Sequence, residues 1–298
     1  MDTIFDKSAH SSSDAVSEQA LVVPTLLILA QAERLEHGPV STFQLHEILS
    51  QMIAMSEDDI KPMGSDHVPR FRRTVQNMIS HELLTGKGRG WATKTKEGLT
   101  ITPEGRGALL DILFSDPREI PSQARVDFGS QTRIVENMVA FQMLIRLAEL
   151  HVESKAPVST TQLRSDIKNS IPLSASDLKP LKNRRDHKID QIIRNVISHK
   201  TLTRKGFAEA SDKGLSITLE GKGYVLDNIL SSFPAPNFTY MVAKEKEFQD
   251  NVNQRRSRVA RENYEIAKKL AKPKVLRAKK DDNAEASVAK TSKRIKLG

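Results

Sequence analysis

Pro39-Val-Ser-Thr-Phe-Gln-Leu45 returns 118 residues later as Pro157-Val-Ser-Thr-Thr-Gln-Leu163. The same offset aligns Asp59-Ile-Lys-Pro62 with Asp177-Leu-Lys-Pro180, Asn77-Met-Ile-Ser-His81 with Asn195-Val-Ile-Ser-His199, and Leu84-Thr85 with Leu202-Thr203. After a two-residue gap, Gly98-Leu-Thr-Ile-Thr-Pro-Glu-Gly105 meets Gly214-Leu-Ser-Ile-Thr-Leu-Glu-Gly221, and Leu110-Asp111 meets Leu226-Asp227. Matching blocks in the same order, with one small indel, define a tandem duplication, and a duplication decides the architecture. Each copy runs to about 95–100 residues, an ordinary size for one small domain. The expected organisation is a flexible N-terminus (1–16), a first domain (17–114), a linker (115–133), a second domain (134–234), and a charged helix with a basic tail (235–298). The linker reading rests on two prolines and the absence of a periodic apolar stripe.

Within each copy the apolar spacing predicts a fixed order of elements. Leu21, Leu26 and Leu29, and Val139, Leu144 and Leu147, recur at helical spacing. Ser41 and Ser159 are good N-caps for a second helix carrying Leu45, Ile48 and Met52, or Leu163 and Ile167. A third helix is expected with Pro69 in its first position, where a missing N–H costs nothing. It would bury Phe71, Val75, Met78, Ile79 and Leu83 in the first copy, and Ile189, Ile193, Val196 and Ile197 in the second. Two short β-type runs, Leu83–Thr85 and Leu99–Thr102, are then expected to pair through a Gly-, Lys- and Arg-rich hairpin loop. A last helix follows Pro103-Glu104-Gly105. The predicted fold class is therefore mainly α with small β-hairpins. Helix, helix, helix, basic hairpin, helix is the order of a winged helix, a helix-turn-helix variant, and the chain has it twice.

The run Asp59-Ile-Lys-Pro62, Arg70-Phe71, Leu83-Leu84 and Ile101-Thr-Pro-Glu-Gly-Arg106 resembles the N-terminal winged-helix domain of Mrr-type restriction proteins. The second copy repeats the pattern as Asp177–Pro180, Lys188-Ile189, Leu202 and Ile217–Lys222. The resemblance covers both copies, roughly two thirds of the chain, and its most specific part is the closing T-x-x-G-R/K motif. It implies a DNA-reading module without the nuclease half of that family, which has no counterpart in this sequence. It also implies a regulator or the DNA-reading component of a restriction or defence system, with a separate nuclease or regulatory protein as partner. Arg73, Thr74 and Val75 stand where that family's third helix has its aromatic and Arg residues, so no target sequence carries over.

In helix-turn-helix docking the recognition helix turns its exposed face into the major groove. Burying the apolar stripe leaves Arg70, Arg73, Gln76, Asn77 and Ser80 outward in the first copy, with Arg72 flanking. The second copy offers Lys188, Gln191, Arg194, Asn195 and Ser198, with Arg184 and Arg185 just before them. Arg can take two acceptors of guanine, and Asn or Gln pairs with the donor and acceptor edge of adenine; Asn77 and Asn195 are the strongest single candidates. The expected wings supply Lys87, Arg89, Lys94 and Lys96, then Arg204, Lys205 and Lys213, beside glycines that let backbone approach phosphate. Trp91 would stack on a sugar or prop the wing. His81 and His199 are expected to fill core or capping roles.

Net charge sharpens this picture. The chain carries +9, and Tyr240 to Gly298 holds 17 Lys and Arg against 8 Asp and Glu, which accounts for all of it. The body is balanced and needs local patches to meet a polyanion. Residues 255–280 contain 11 bases and 2 acids, with Arg255, Arg256, Arg258, Lys268 and Lys269 as candidate phosphate contacts. Phe248, Val252, Val259 and Ile266 leave a homodimer through this helix open. Lys293-Arg-Ile-Lys296 also matches a minimal nuclear-import pattern.

Cysteine is absent, which excludes disulfides, thiolate metal sites and a cysteine nucleophile. No HxH, HExxH or GxSxG string appears, and Gly86-Lys-Gly-Arg-Gly90 lacks the spacing of a nucleotide-cradling loop. Glu153-Ser-Lys155 fits half of a nuclease E-x-K signature but falls in a connection. The expectation is no enzyme, no cofactor and no metal. Polar, acidic first residues lack a secretion signal and no apolar run can span a bilayer, so a cytoplasmic protein is expected, nucleoid-associated if bacterial. The alternative is a protein-interaction scaffold whose basic tail binds nucleic acid non-specifically; double-stranded RNA is a third, weaker target.

Overall fold

The computed structural model describes residues 15–63, 67–86, 89–115, 134–181 and 186–270. The described chain is mainly helical, with three small antiparallel two-stranded sheets. A 3₁₀ turn (Gln19–Leu21) leads into α1 (Val22–Arg34), α2 (Thr42–Met52) and the single turn α3 (Glu57–Ile60). The pair β1 (Pro62–Met63) and β2 (Val68–Pro69) leads into α4 (Arg70–Ser80), the hairpin β3 (Ala92–Lys94) and β4 (Leu99–Ile101), and α5 (Pro103–Ser115). The second copy follows as α6 (Glu136–Ser154), α7 (Thr160–Ser170), α8 (Lys188–Ser198), the short α9 (Thr201–Arg204), the hairpin β5 (Ala208–Ser211) and β6 (Gly214–Ile217), and α10 (Leu219–Leu230). A bridge between Pro180 and His187 stands where β1 and β2 pair in the first copy. The long α11 (Phe238–Leu270) comes last.

The repeated sequence blocks turn out to be joints of the fold. Ser41 Oγ accepts from the Gln44 amide while Gln44 Oε1 accepts from the Ser41 amide, a reciprocal cap at the start of α2. Ser159 repeats the first half of that cap at α7. One residue earlier, Val40 exchanges two backbone hydrogen bonds of 2.9 Å with Leu99, and Val158 does so with Leu215 at 2.8 and 2.9 Å. The Pro-Val-Ser block and the Gly-Leu-x-Ile block therefore touch in each copy. Gly98 and Gly214 make the approach possible: both have positive φ, and a Cβ would lie 2.3 and 2.0 Å from the Val40 and Val158 carbonyl oxygens. Closing each hairpin, Thr102 and Thr218 accept from the amides of Gly105 and Gly221 and donate 2.6 Å hydrogen bonds to Gly90 and Gly206 carbonyls. A Cβ on Gly105 or Gly221 would sit 2.0 Å from the carbonyl oxygen of Trp91 or Phe207 respectively. The T-x-x-G part of the closing motif is thus a helix cap pressed against a hairpin. Asp59 has a similar structural role: buried, it accepts from the amides of Val16 and Ser56.

Several element boundaries differ from the sequence expectation. Pro69 is the residue before α4, in extended conformation, and not its first turn. Leu83–Thr85 is a turn and not a strand, because Glu82 takes a left-handed conformation (φ 54°) and the Leu83 amide donates back to Met78, ending α4 in a Schellman-type cap. Leu84 still reaches the core, but the strand begins only at Ala92. The hairpin loop is accordingly Thr95–Gly98, not the Gly86–Gly90 stretch. In the second copy Thr201–Arg204 is helical for the same reason, with Lys200 left-handed. The last helix starts on Pro103, three residues earlier than expected.

Residues up to Glu245 form one compact unit and Lys246 onward a second. In the first unit a single apolar cluster runs through both copies, including Leu26, Leu45, Phe71, Val75 and Met78 from one, and Met143, Leu163, Ile189, Ile193 and Val196 from the other. The copies join where α5 meets α10. Arg106 reaches Asp227 and Glu33 at 2.6 Å each, and Lys222, almost wholly buried, holds both carboxylate oxygens of Asp111 at 2.6 Å. Gln31, also buried, donates to the Leu230 carbonyl across the same junction. The first two turns of α11 also belong to this unit: Phe238 stacks on His37 at 4.5 Å, Met241 is buried, and Lys244 pairs with Glu47. In the second unit α11 is exposed along almost its whole described length. Among the described residues no helix is long and apolar enough to cross a membrane. The expected N-terminal segment through Asp14, the linker from Asp116 to Arg133, and everything beyond Leu270, the import-like string included, lie outside the described residues.

Candidate nucleic-acid interface

α4 has a strongly two-sided character because its apolar residues repeat every three to four positions. Phe71, Val75, Met78 and Ile79 are buried, and Thr74, on the same side, turns its hydroxyl onto the Arg70 carbonyl. Arg70, Gln76, Asn77 and Ser80 are exposed on the other side, and Arg72 and Arg73 are half-buried at its edges. Ser80 donates to the Gln76 carbonyl, so its hydroxyl is spent within the helix. Arg72 is close enough to His46 for its charge to add to the burial that lowers that imidazole's pKa. The face pairs a cation-rich side with amide groups able to read base edges.

α8 presents the same register with different electrostatics. Ile189, Ile193 and Val196 are buried, and Gln191 and Ser198 are exposed, while Lys188, Arg194 and Asn195 are half-buried. Arg194 pairs with Asp186 at 2.5 Å, and Asn195 Nδ2 donates to Glu136 Oε1 at 3.0 Å. Asn195 is therefore engaged by α6 instead of standing open like Asn77, which corrects its standing as an equal candidate. Asp190 occupies the position of Arg72. Burial alone would raise its pKa, but hydrogen bonds from Lys168 and the His187 amide, with the Lys168 charge, hold it below the usual value. The offset of 118 pairs Arg72 with Asp190 in the sequence itself, so this signal was present and unread.

The expected wing residues fall into three groups. Lys94 and Lys96 stand exposed on the β3–β4 hairpin, and Lys213 on the β5–β6 tip beside Asp212. Arg89, Arg204 and Lys205 are exposed but lie before the hairpins, not on them: Arg89 places its guanidinium 4.8 Å over the Trp91 ring and donates to the Leu83 carbonyl, while Arg204 ends α9. Trp91 is half-buried against the core, so it props the hairpin base. Lys87, Arg184 and Arg185 lie outside the described residues. His81 and His199 cap the C-terminal ends of α4 and α8 but are not core residues; their side chains are 60% and 59% exposed and face Glu18 and Glu136. Glu153-Ser-Lys155 sits at the end of α6, with Lys155 as a left-handed C-cap.

On α11, Arg255, Arg256, Arg258, Lys268 and Lys269 are all exposed, and Arg258 has only a loose pairing with Glu262 at 3.8 Å. Among the described residues no group of three or more His, Asp or Glu side chains is placed to hold a metal ion. The junction residues Arg106, Asp111, Lys222 and Asp227 escaped the sequence reading; the closing Arg or Lys with an Asp five positions later, in both copies, was the available sign. No protein family, curated protein or solved structure matches the chain.

Proposed function

We propose that each copy is a winged helix and that the chain binds double-stranded DNA, with α4 and α8 as its recognition helices. It would act as a regulator or as the DNA-reading component of a restriction or defence system, in the cytoplasm, without catalysis of its own. The observation that carries this reading is the outward face of α4, where Arg70, Gln76 and Asn77 stand exposed, in a copy whose hairpin bears the exposed Lys94 and Lys96. A helix buried on one side by Phe71, Val75 and Met78 and lined on the other with base-reading groups is the arrangement a major groove accepts. The resemblance to the N-terminal domain of Mrr-type restriction proteins supports the same reading, and the exposed cations of α11 would add sequence-independent contact to phosphates. Selection from a randomised duplex library, with methylated cytosine and adenine included, at ~150 mM salt suppresses non-specific binding and tests it directly. Arg73→Ala with Asn77→Ala should lose discrimination on the selected site by about 10- to 100-fold or more, since each good base contact is worth about 1–3 kcal/mol. Asn195→Ala should cost less, because its amide is already held by Glu136.

A second reading, a protein-interaction scaffold whose basic tail meets nucleic acid loosely, draws support from α8, where acids hold Arg194 and Asn195. It takes over if the α4 variants bind the selected DNA unchanged while removal of residues 246–298 abolishes binding.

A further inference from the structure

The junction between α5 and α10 is reciprocal. The repeat pairs Arg106 with Lys222, Gly107 with Gly223 and Asp111 with Asp227. Arg106 meets Asp227, and its counterpart Lys222 meets Asp111, both at 2.6 Å. A Cβ on Gly107 would meet the Lys222 side chain at 3.5 Å; on Gly223 it would meet the Arg106 side chain at 3.2 Å. Each position of one copy thus touches, in the other copy, the counterpart of the residue that touches its own counterpart. A two-fold rotation produces this pattern, whereas head-to-tail stacking uses two different surfaces and gives no such exchange. The layer behind agrees: Glu33 backs Arg106, and the residue at its repeat position, His151, lies within electrostatic reach of Lys222 and Asp111.

α1, α2, α4, the β3–β4 hairpin and α5 recur in order as α6, α7, α8, the β5–β6 hairpin and α10, so the rotation that carries α5 onto α10 carries α4 onto α8. We infer that the two helices address opposite halves of an inverted repeat in one duplex, the target being an imperfect palindrome. This rests on the DNA-reading proposal above. A two-fold relation between protein halves is matched by the two-fold relation between half-sites, and the half-sites differ where the helices differ. Arg70 and Lys188 are chemically alike, and Asn77 and Asn195 are identical; Arg73 faces the same register as Gln191, and Gln76 the same as Arg194. The two half-sites should agree where Arg70 and Lys188 read, agree more weakly where Glu136 already holds the Asn195 amide, and exchange guanine for adenine preference at the others.

The experiment is selection by the full chain from duplexes randomised over about 30 base pairs, three helical turns. Two related half-motifs in opposite orientation at fixed spacing are expected. A direct repeat, or a single half-motif, overturns the inverted-repeat inference and leaves DNA reading standing. Enrichment of no motif overturns both. A second variant, Lys188→Arg with Gln191→Arg and Arg194→Gln, makes the α8 face match that of α4 at three solvent-accessible positions, with melting compared to the parent. Its selected motif should become symmetric at the bases those three positions read; an unchanged asymmetry there overturns the inference.

Discussion

Asp111→Ala removes the acid that closes on Lys222 across the α5–α10 junction, and its cost follows from how unequally the two partners are buried. The Lys222 side chain is 6% exposed and that of Asp111 34% exposed. Removing the acid strands an ammonium that water barely reaches; removing the base strands a carboxylate that water already reaches. An uncompensated buried charge costs about 3–5 kcal/mol, and the partial opening at Asp111 argues for the lower end, about 3 kcal/mol. Lys222→Met keeps the apolar stem in place and leaves a hydratable carboxylate, which should cost about 1 kcal/mol. The double variant should cost little more than Lys222→Met alone, a coupling of about 3 kcal/mol. At roughly 2–4 °C per kcal/mol for a unit of this size, Asp111→Ala should melt about 6–12 °C below the parent. Urea unfolding at pH 7 followed by far-ultraviolet circular dichroism gives the four stabilities. The reasoning fails if Asp111→Ala costs no more than Lys222→Met, or if the two effects add to within about 0.5 kcal/mol.

Gly105→Ala would force a Cβ to 2.0 Å from the Trp91 carbonyl oxygen, so α5 must lift from the hairpin; a loss of about 3 kcal/mol is expected by thermal melting, against little change for Gly107→Ala, whose nearest neighbours are flexible side-chain ends. Acidification should destabilise the first unit. His46, through burial and then the Arg72 and Lys244 charges, and His151, through burial and then Lys222, have pKa values lowered from 6.5. The unfolded chain therefore binds these protons first, and stability drops as pH falls below about 6.5; His46→Gln with His151→Gln should flatten the unfolding midpoint between pH 7 and 5. Removal of residues 246–298 should weaken DNA binding and reduce the slope of log affinity against log salt by about 0.9 for each phosphate the tail had neutralised, with half-site preference unchanged.

The order of elements was legible because apolar spacing and caps report directly on what each segment buries: Ser41, Leu45, Phe71 and Val75 all stand where their chemistry sends them. Boundaries set by left-handed residues were not. Glu82 and Lys200 end their helices in a conformation more often given to glycine or asparagine, so nothing local marked the turn that displaced the expected strand and took Arg89, Arg204 and Lys205 off the hairpins. Side-chain partners from distant elements were equally hidden. Asn77 and Asn195 are identical in sequence, and a glutamate stands at the same offset before each, yet Glu136 takes the Asn195 amide while Glu18 turns to His81. At the α5–α10 junction the repeated base and acid were visible but their pairing across the copies was not, because the ion pairs link residues more than a hundred positions apart.

A seam of this kind, made within one polypeptide, has no dissociation constant. Its halves remain at a fixed effective concentration set by the intervening chain, so dilution does not separate them and the melting point of the first unit is independent of protein concentration. Ordinary two-fold assemblies present the same side chains twice; here a single gene carries both versions, and either one can change without obliging the other to follow.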